Sequence, residues 1–259
     1  MSITRSLLPF GLVIYSWLFT DGECWRKIDG KVFQNWLPMF KLAAPACLMV
    51  EVECIGFEIL TLLAGLNGTA ELCAQTLLVT LCGFIFKVPF SLSIAASTQI
   101  ADLLGRGSAY EAKQVAKLSI FLAGGTGSLI VILVLCFRNQ IPYLLTSDKE
   151  VVALMLSAIP LLAIFTLIDA VAGAITGVIR GMGKQYIGAL IQTIAYYAIG
   201  LPCSIIATFS LGWHLNGLWF GISIAMCLIC LLQGLYIYLL DWNGLVEEAK
   251  FRNALDRDA

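Results

Sequence analysis

The chain has 259 residues, 59% of them hydrophobic and 13% charged, with a formal net charge of −1 and a mean hydropathy of +0.89. Soluble domains sit at roughly 45–50% apolar and about 25% charged, so these figures all but exclude a water-soluble globular protein, a disordered chain and a nucleic-acid binder, which needs a basic face. A bilayer span takes about 20 apolar residues, which leaves room for about six or seven spans with short loops and for no second soluble domain.

The first apolar run, Leu7–Phe19, is short and starts almost at Met1. Arg5 in front of it suits a signal-peptide core, but no small-x-small cleavage pattern follows. We read residues 1–20 as a truncated transmembrane helix and 21–41 as a cytoplasmic linker. Six long runs come next: Leu42–Leu66, Leu72–Ala96, Val115–Phe137, Val151–Ile175, Tyr186–Phe209 and Leu215–Leu240. Each has the length of a tilted spanning helix. The alternation expected of a β-barrel is missing, and helices alone then satisfy the backbone in lipid. The expected fold is all-α, a polytopic membrane protein with a six-transmembrane-helix bundle over residues 42–240. The charged tail, 241–259, is expected to be a frayed helix at the membrane surface.

Charges in the connecting segments orient the bundle. With 21–41 cytoplasmic, that side holds Arg26, Lys27, Lys31, Lys41, Arg106, Lys113, Lys117, Arg180, Lys184, Lys250, Arg252 and Arg257, while the other holds Arg5, Arg138 and Lys149. Twelve against three is a strong positive-inside bias, and it places the C-terminus in the cytosol. It also puts the sequon Asn67-Gly68-Thr69 outside, close enough to the membrane that no glycan is expected.

Enzyme motifs are absent. There is no phosphate-binding loop, dinucleotide fingerprint or H-E-x-x-H, and the single histidine, His214, reads as a solvated loop residue. Eight of the nine cysteines lie in or beside apolar runs, where cysteine acts as a small hydrophobe. Cys227 and Cys230 form a C-x-x-C inside such a run without a second pair, which reads as packing.

Five ionisable residues fall at membrane depth: Glu51, Glu53, Glu58, Lys87 and Asp169. Such residues are expensive and functional by default. One lysine cannot neutralise four carboxylates, so some of them face a wet cavity or carry a proton. A carboxyl group in a low-dielectric cavity holds its proton more readily, and a cationic substrate competing for the same carboxylate couples its own movement to that of the proton. On a straight helix Glu51 and Glu58 share a face, whereas Glu53 and Glu58 are about 140° apart. Pro45, Pro89, Pro160 and Pro202 interrupt or flank the spans, and Gly173, Gly177, Gly181 and Gly183 crowd the end of the fourth. These residues mark either broken helices around a central site or small-residue helix packing.

Several stretches are specific. Leu48-Met49-Val50-Glu51-Val52-Glu53-Cys54-Ile55-Gly56-Phe57-Glu58 resembles the seventh helix of eukaryotic MATE (multidrug and toxic compound extrusion) transporters. Pro89 with Ala95-Ala96-Ser97-Thr98 resembles the end of their eighth helix. Gly177-Val178-Ile179-Arg180-Gly181-Met182-Gly183-Lys184-Gln185 resembles the G-V-x-R-G-x-G-x-Q signature, and Tyr196-Tyr197, Gly200-Leu201-Pro202 and Gly217-Leu218-Trp219 follow in order. The resemblance covers about Phe33 to Leu240. It implies one six-helix lobe of a twelve-helix antiporter that exports organic cations, xenobiotics or metabolites from the plasma or vacuolar membrane. On the family pattern, Glu53, Glu58 and Asp169 are the substrate- and proton-binding acids; Glu51, which falls where the family carries no motif acid, and Lys87, Tyr196 and Tyr197 are further cavity-lining candidates. No resident cofactor or metal is implied; the coupling ion is a proton, with sodium as the alternative. The implied partners are a small-molecule substrate, the lipid bilayer and either a second lobe or a second copy. A non-transporting half-length fragment or regulatory subunit is the alternative reading. Here Cys54-Ile55 stands where the family carries a Trp-Trp pair, Gln99 replaces an arginine, and Lys87 is an extra cation.

Overall fold

The computed structural model of the chain describes residues 2–19 and 36–249. The chain divides into two compact units, Met1–Phe40 and Lys41–Ala259. In the first unit, α1 covers Ser2–Phe19, longer than the apolar run alone, and the first turn of the next helix sets the Trp36 and Phe40 rings 6.1 Å apart. That helix, α2, runs over Trp36–Asn67. The linker expected to reach residue 41 therefore gives way to helix by Trp36; the rest of it, like 250–259 of the tail, lies outside the described residues.

The second unit continues with α3 (Thr69–Ile85), α4 (Lys87–Gly105), α5 (Ala109–Cys136), the short α6 (Ile141–Leu145) and α7 (Lys149–Gly181). It ends with α8 (Gln185–Ser210), α9 (His214–Leu239) and α10, residues 242–249. Strand is absent among the described residues. Helices α5, α7, α8 and α9 are each long and apolar enough to cross a bilayer, and α3 with α4 adds a fifth as a pair bent by 42°. The 32-residue α2 has the length, but it carries three glutamates within two turns.

The run expected as one span, Leu72–Ala96, is broken at Phe86. Pro89 is the cause. It lacks the N–H that would donate to the carbonyl of Ile85, and its ring crowds that carbonyl. Pro45 and Pro160, by contrast, lie inside continuous helices. In α8 the winding widens to π-helix over Ile194–Gly200 and again over Ile206–Ser210, on either side of the turn that holds Pro202.

Helix α7 is the centre of the unit, in contact with α3, α4, α5 and α9. Its glycines resolve as packing, since α7 is unbroken to Gly181. Gly173, Gly177 and Gly181 recur every fourth residue, one face of a helix, and meet Phe86, Ser93 and Ser97 of the bend and α4. A Cβ on Gly181 would stand 2.6 Å from the Ser97 carbonyl oxygen. Gly183, at φ +74°, then turns the chain out of the helix. Gly217 and Gly221 do the same for α9 against the backbone of Thr208 and Ser204 in α8, the close small-residue approach that membrane helices use.

Two apolar cores result. One gathers Leu60, Leu78, Met155, Leu162, Phe165 and Trp219. The other gathers Ile100, Ala112, Val178, Ile179, Trp242, Leu245 and Val246. The second core corrects the frayed-tail expectation. Residues 242, 245, 246 and 249 are all buried, and Lys184 Nζ donates to Glu248 Oε2 at 2.7 Å. His214 is likewise more than a solvated loop residue. It stays largely exposed, but its Nδ1 lies 3.1 Å from Glu71 Oε1, and Asn67 Nδ2 donates to the other oxygen of Glu71 at 2.7 Å.

The glycine contacts are testable. Gly221→Val forces α9 off the Ser204 backbone and should cost about 1–3 kcal/mol, read as a lower thermal midpoint in detergent. Gly125→Val, with open space around its Cα, should leave the midpoint within a degree or so of the parent.

Candidate functional site

Helix α2 presents a stripe with helical spacing, Met49, Glu53 and Phe57 beside Val50, Cys54 and Glu58, to a cavity of about 410 Å³. The cavity continues onto Cys82 and Gly83 of α3, Phe86 at the bend, and Lys87, Phe90 and Ser93 of α4. Helix α7 adds Phe165, Asp169, Thr176 and Arg180; α8 adds Gln192 and Tyr196; α9 adds Met226 and Ile229. On α7 the positions 169, 173, 176 and 180 follow i, i+4, i+7 and i+11, so one face supplies acid, glycine, hydroxyl and guanidinium.

The aromatic wall is built by edge contacts. The Phe57 and Phe165 rings are 5.9 Å apart and nearly perpendicular, and Phe165 meets Trp219 at 5.4 Å. Trp219 is held in turn by its Nε1, which donates to Gln75 Oε1 at 2.9 Å. Tyr196 is 1% exposed, its ring against Gly56 and its hydroxyl 3.2 Å from Met226 Sδ. A buried polar chain lies beside the cavity. Gln192 Nε2 donates to Thr176 Oγ1 at 3.3 Å, Thr176 Oγ1 donates to Gln233 Oε1 at 3.1 Å, and Gln233 Nε2 donates to the Gly188 carbonyl at 3.4 Å. Gln192 Oε1 is buried without a partner.

The ionisable groups of the cavity are unpaired. The ion pairs among the described residues are Asp102–Arg106, Lys184–Glu248 and His214–Glu71. Glu53, Glu58, Lys87, Asp169 and Arg180 form none. Glu53 is half-buried and lies within Coulombic reach of both Asp169 and Arg180. Asp169 is 7% exposed, whereas Glu58 and Lys87 are exposed in this chain.

The structure thus brings together Glu53, Glu58, Asp169, Lys87 and Tyr196 and leaves out two cavity-lining candidates. Glu51 is exposed and absent from the lining. It lies about 20° beyond Glu58 around the helix, and Glu58 is itself the edge of the stripe. That geometry explains why the wheel paired Glu51 with Glu58 although the cavity faces Glu53. Tyr197 points its hydroxyl at the Val52 carbonyl, 3.3 Å away, and links α8 to α2 instead of lining the cavity. Arg180, counted above among the cytoplasmic charges, belongs to α7 and lines the cavity. The signal that would have found it is its spacing of eleven residues from Asp169, three helical turns on the same face. Thr176, seven residues from Asp169, shares that face as well, whereas Gln192 on α8 carried no such signal.

Comparisons with known proteins agree on one family. The MatE family profile matches residues 45–206. An uncharacterized transporter of Schizosaccharomyces pombe is 35% identical over 92% of this chain and 44% of its own length. Multidrug and toxin extrusion protein 2 of Mus musculus is 35% identical over 89% of this chain and 40% of its own. The chain therefore spans less than half the length of these relatives. Among solved structures, the eukaryotic MATE transporter AtDTX14 superposes with a TM-score of 0.88 at 31% identity, over 93% of this chain and 55% of that one.

Tyr196→Ala should empty a fully buried ring site and cost about 3–5 kcal/mol, measured as a fall in the unfolding midpoint. Tyr197→Ala, at a half-buried site, should cost clearly less in the same assay.

Proposed function

This chain belongs to the MatE family, and on that premise we propose that it is one lobe of a secondary antiporter that exports organic cations, xenobiotics or metabolites in exchange for protons. The observation that carries this reading is the unpaired buried carboxylate of Asp169, facing the cavity within reach of Glu53. An uncompensated carboxylate in a low-dielectric cavity is expensive. A bound proton relieves the cost, and so does a bound cation. Both compete for the same groups, so loading one expels the other. The part-exposed aromatic residues of the lining, Phe57, Phe86 and Phe90, offer aromatic surface to a flat organic cation. Sodium is the alternative coupling ion.

In this reading the chain crosses the membrane with its C-terminus in the cytosol. With Arg180 on the cavity wall, the positive-inside count still stands at eleven to three. A second lobe covers the face on which Glu51, Glu58 and Lys87 are exposed, because charged groups at membrane depth face protein or water and not lipid.

Two measurements test the reading on the purified full chain in detergent. In weakly buffered solution, tetraphenylphosphonium should release protons detectable with a pH indicator, and Asp169→Asn or Glu53→Gln should abolish the release. Binding should weaken as pH falls, because protonation removes the carboxylate that the cation needs. Unchanged proton release in both variants would sink the assignment. Separately, maleimide alkylation of Cys54, which is exposed on the cavity wall, should slow several-fold when the cation is present, followed peptide by peptide by mass spectrometry.

A further inference from the structure

The cavity does not carry acids alone. Lys87 enters it from the first turn of α4, at the point where Pro89 breaks the span. Its Nζ stands 6.0 Å from the centroid of the Phe90 ring, itself part of the wall. Among the described residues Lys87 has no carboxylate within 4.0 Å, although Glu53, Glu58 and Asp169 line the same space. On α7, the Nε of Arg180, another residue of the lining, is buried without a hydrogen-bond partner. An ammonium that merely neutralised an acid to hold two helices together would sit in contact with it. This one is held apart from the acids of its own lobe, over the Phe90 ring.

A cation at this place repels a simple organic cation and leaves an anionic group of the occupant well served. A lysine ammonium recognises a carboxylate or sulfonate as a point charge from its flexible stem. The acids at Glu53 and Asp169 serve a cationic group at the other end. We propose that Lys87 is a specificity-determining residue and that the cavity prefers amphoteric substrates, compact aromatic molecules carrying one basic and one acidic group, over permanent cations without an acid. This deepens, and rests on, the reading of the cavity as the substrate site.

The test uses two fluorescent dyes of the same skeleton: a rhodamine with its benzoate free, a zwitterion, and the methyl ester of that dye, a cation. Binding to the purified full chain is followed by fluorescence anisotropy. The free-acid dye should bind about tenfold more tightly than the ester, the size of one partly exposed charge contact. Lys87→Met and Lys87→Gln should erase the preference, and Lys87→Arg should keep it. Size-exclusion profiles and unfolding midpoints of all three variants check that they fold. Equal affinity for the two dyes in the parent, or a preference that survives in Lys87→Met, overturns the assignment of Lys87 and leaves the cavity as the substrate site, provided that Asp169→Asn weakens the binding of both dyes. If neither dye binds the parent, the substrate-site reading itself fails and this inference falls with it.

Discussion

The close approach of α4 to α7 is the contact on which the rest of the lobe depends. Gly173, Gly177 and Gly181 let the bend aromatic Phe86, then Ser93, then Ser97 with Ile100, come against the α7 backbone. Ser93 Oγ even donates across the seam to the Gly173 carbonyl at 2.8 Å. In lipid no hydrophobic drive pulls helices together, so packing at this range and interhelical hydrogen bonds must do so. The seam stops at the Pro89 break, where α3 departs at 42° from α4. The cavity opens there, and Asp169, one turn before Gly173, looks into it.

The stand-off of α2 is the counterpart of that seam. It meets α8 at a few points: Gly56 under the Tyr196 ring, Met49 beside Gly188, and the Val52 carbonyl accepting from Tyr197. Phe57 reaches across to Phe165 and Trp219. The acids of α2 thus sit on a helix that is tied down by side chains rather than by backbone contact, opposite an α7 that is tied down on several sides. Local stability in proteins follows such differences in contact density.

Much of this was legible in the sequence, and the exceptions have physical causes. Apolar runs marked α5, α7, α8 and α9 because hydrocarbon demands them. The break at Phe86 was signalled only by Pro89, and proline is ambiguous: Pro45 and Pro160 sit in unbroken helices. The glycine ladder of α7 was equally open until its contacts were seen. Arg180 was misplaced because a charge count sorts cations by sequence position, whereas α7 runs 33 residues and carries its last turn past the apolar run. Glu51 was overvalued because a wheel shows which residues share a face but not where the edge of the cavity falls. The tail was misjudged by composition. Its charges hid Trp242, Leu245, Val246 and Ala249 at i, i+3, i+4 and i+7, the pattern of a helix with one buried face.

That short helix has a practical consequence for anyone handling the protein. Trp242, Leu245 and Val246 close the core formed by Ile100, Leu104, Val178 and Ile179. A truncation placed after the last spanning residue, where hydropathy alone would put it, strips the lid from this core and lays bare its apolar floor. Shortened versions trimmed there would be expected to clump in detergent for a reason unrelated to transport, while a cleavage site or affinity handle placed beyond residue 249 leaves the closure in place.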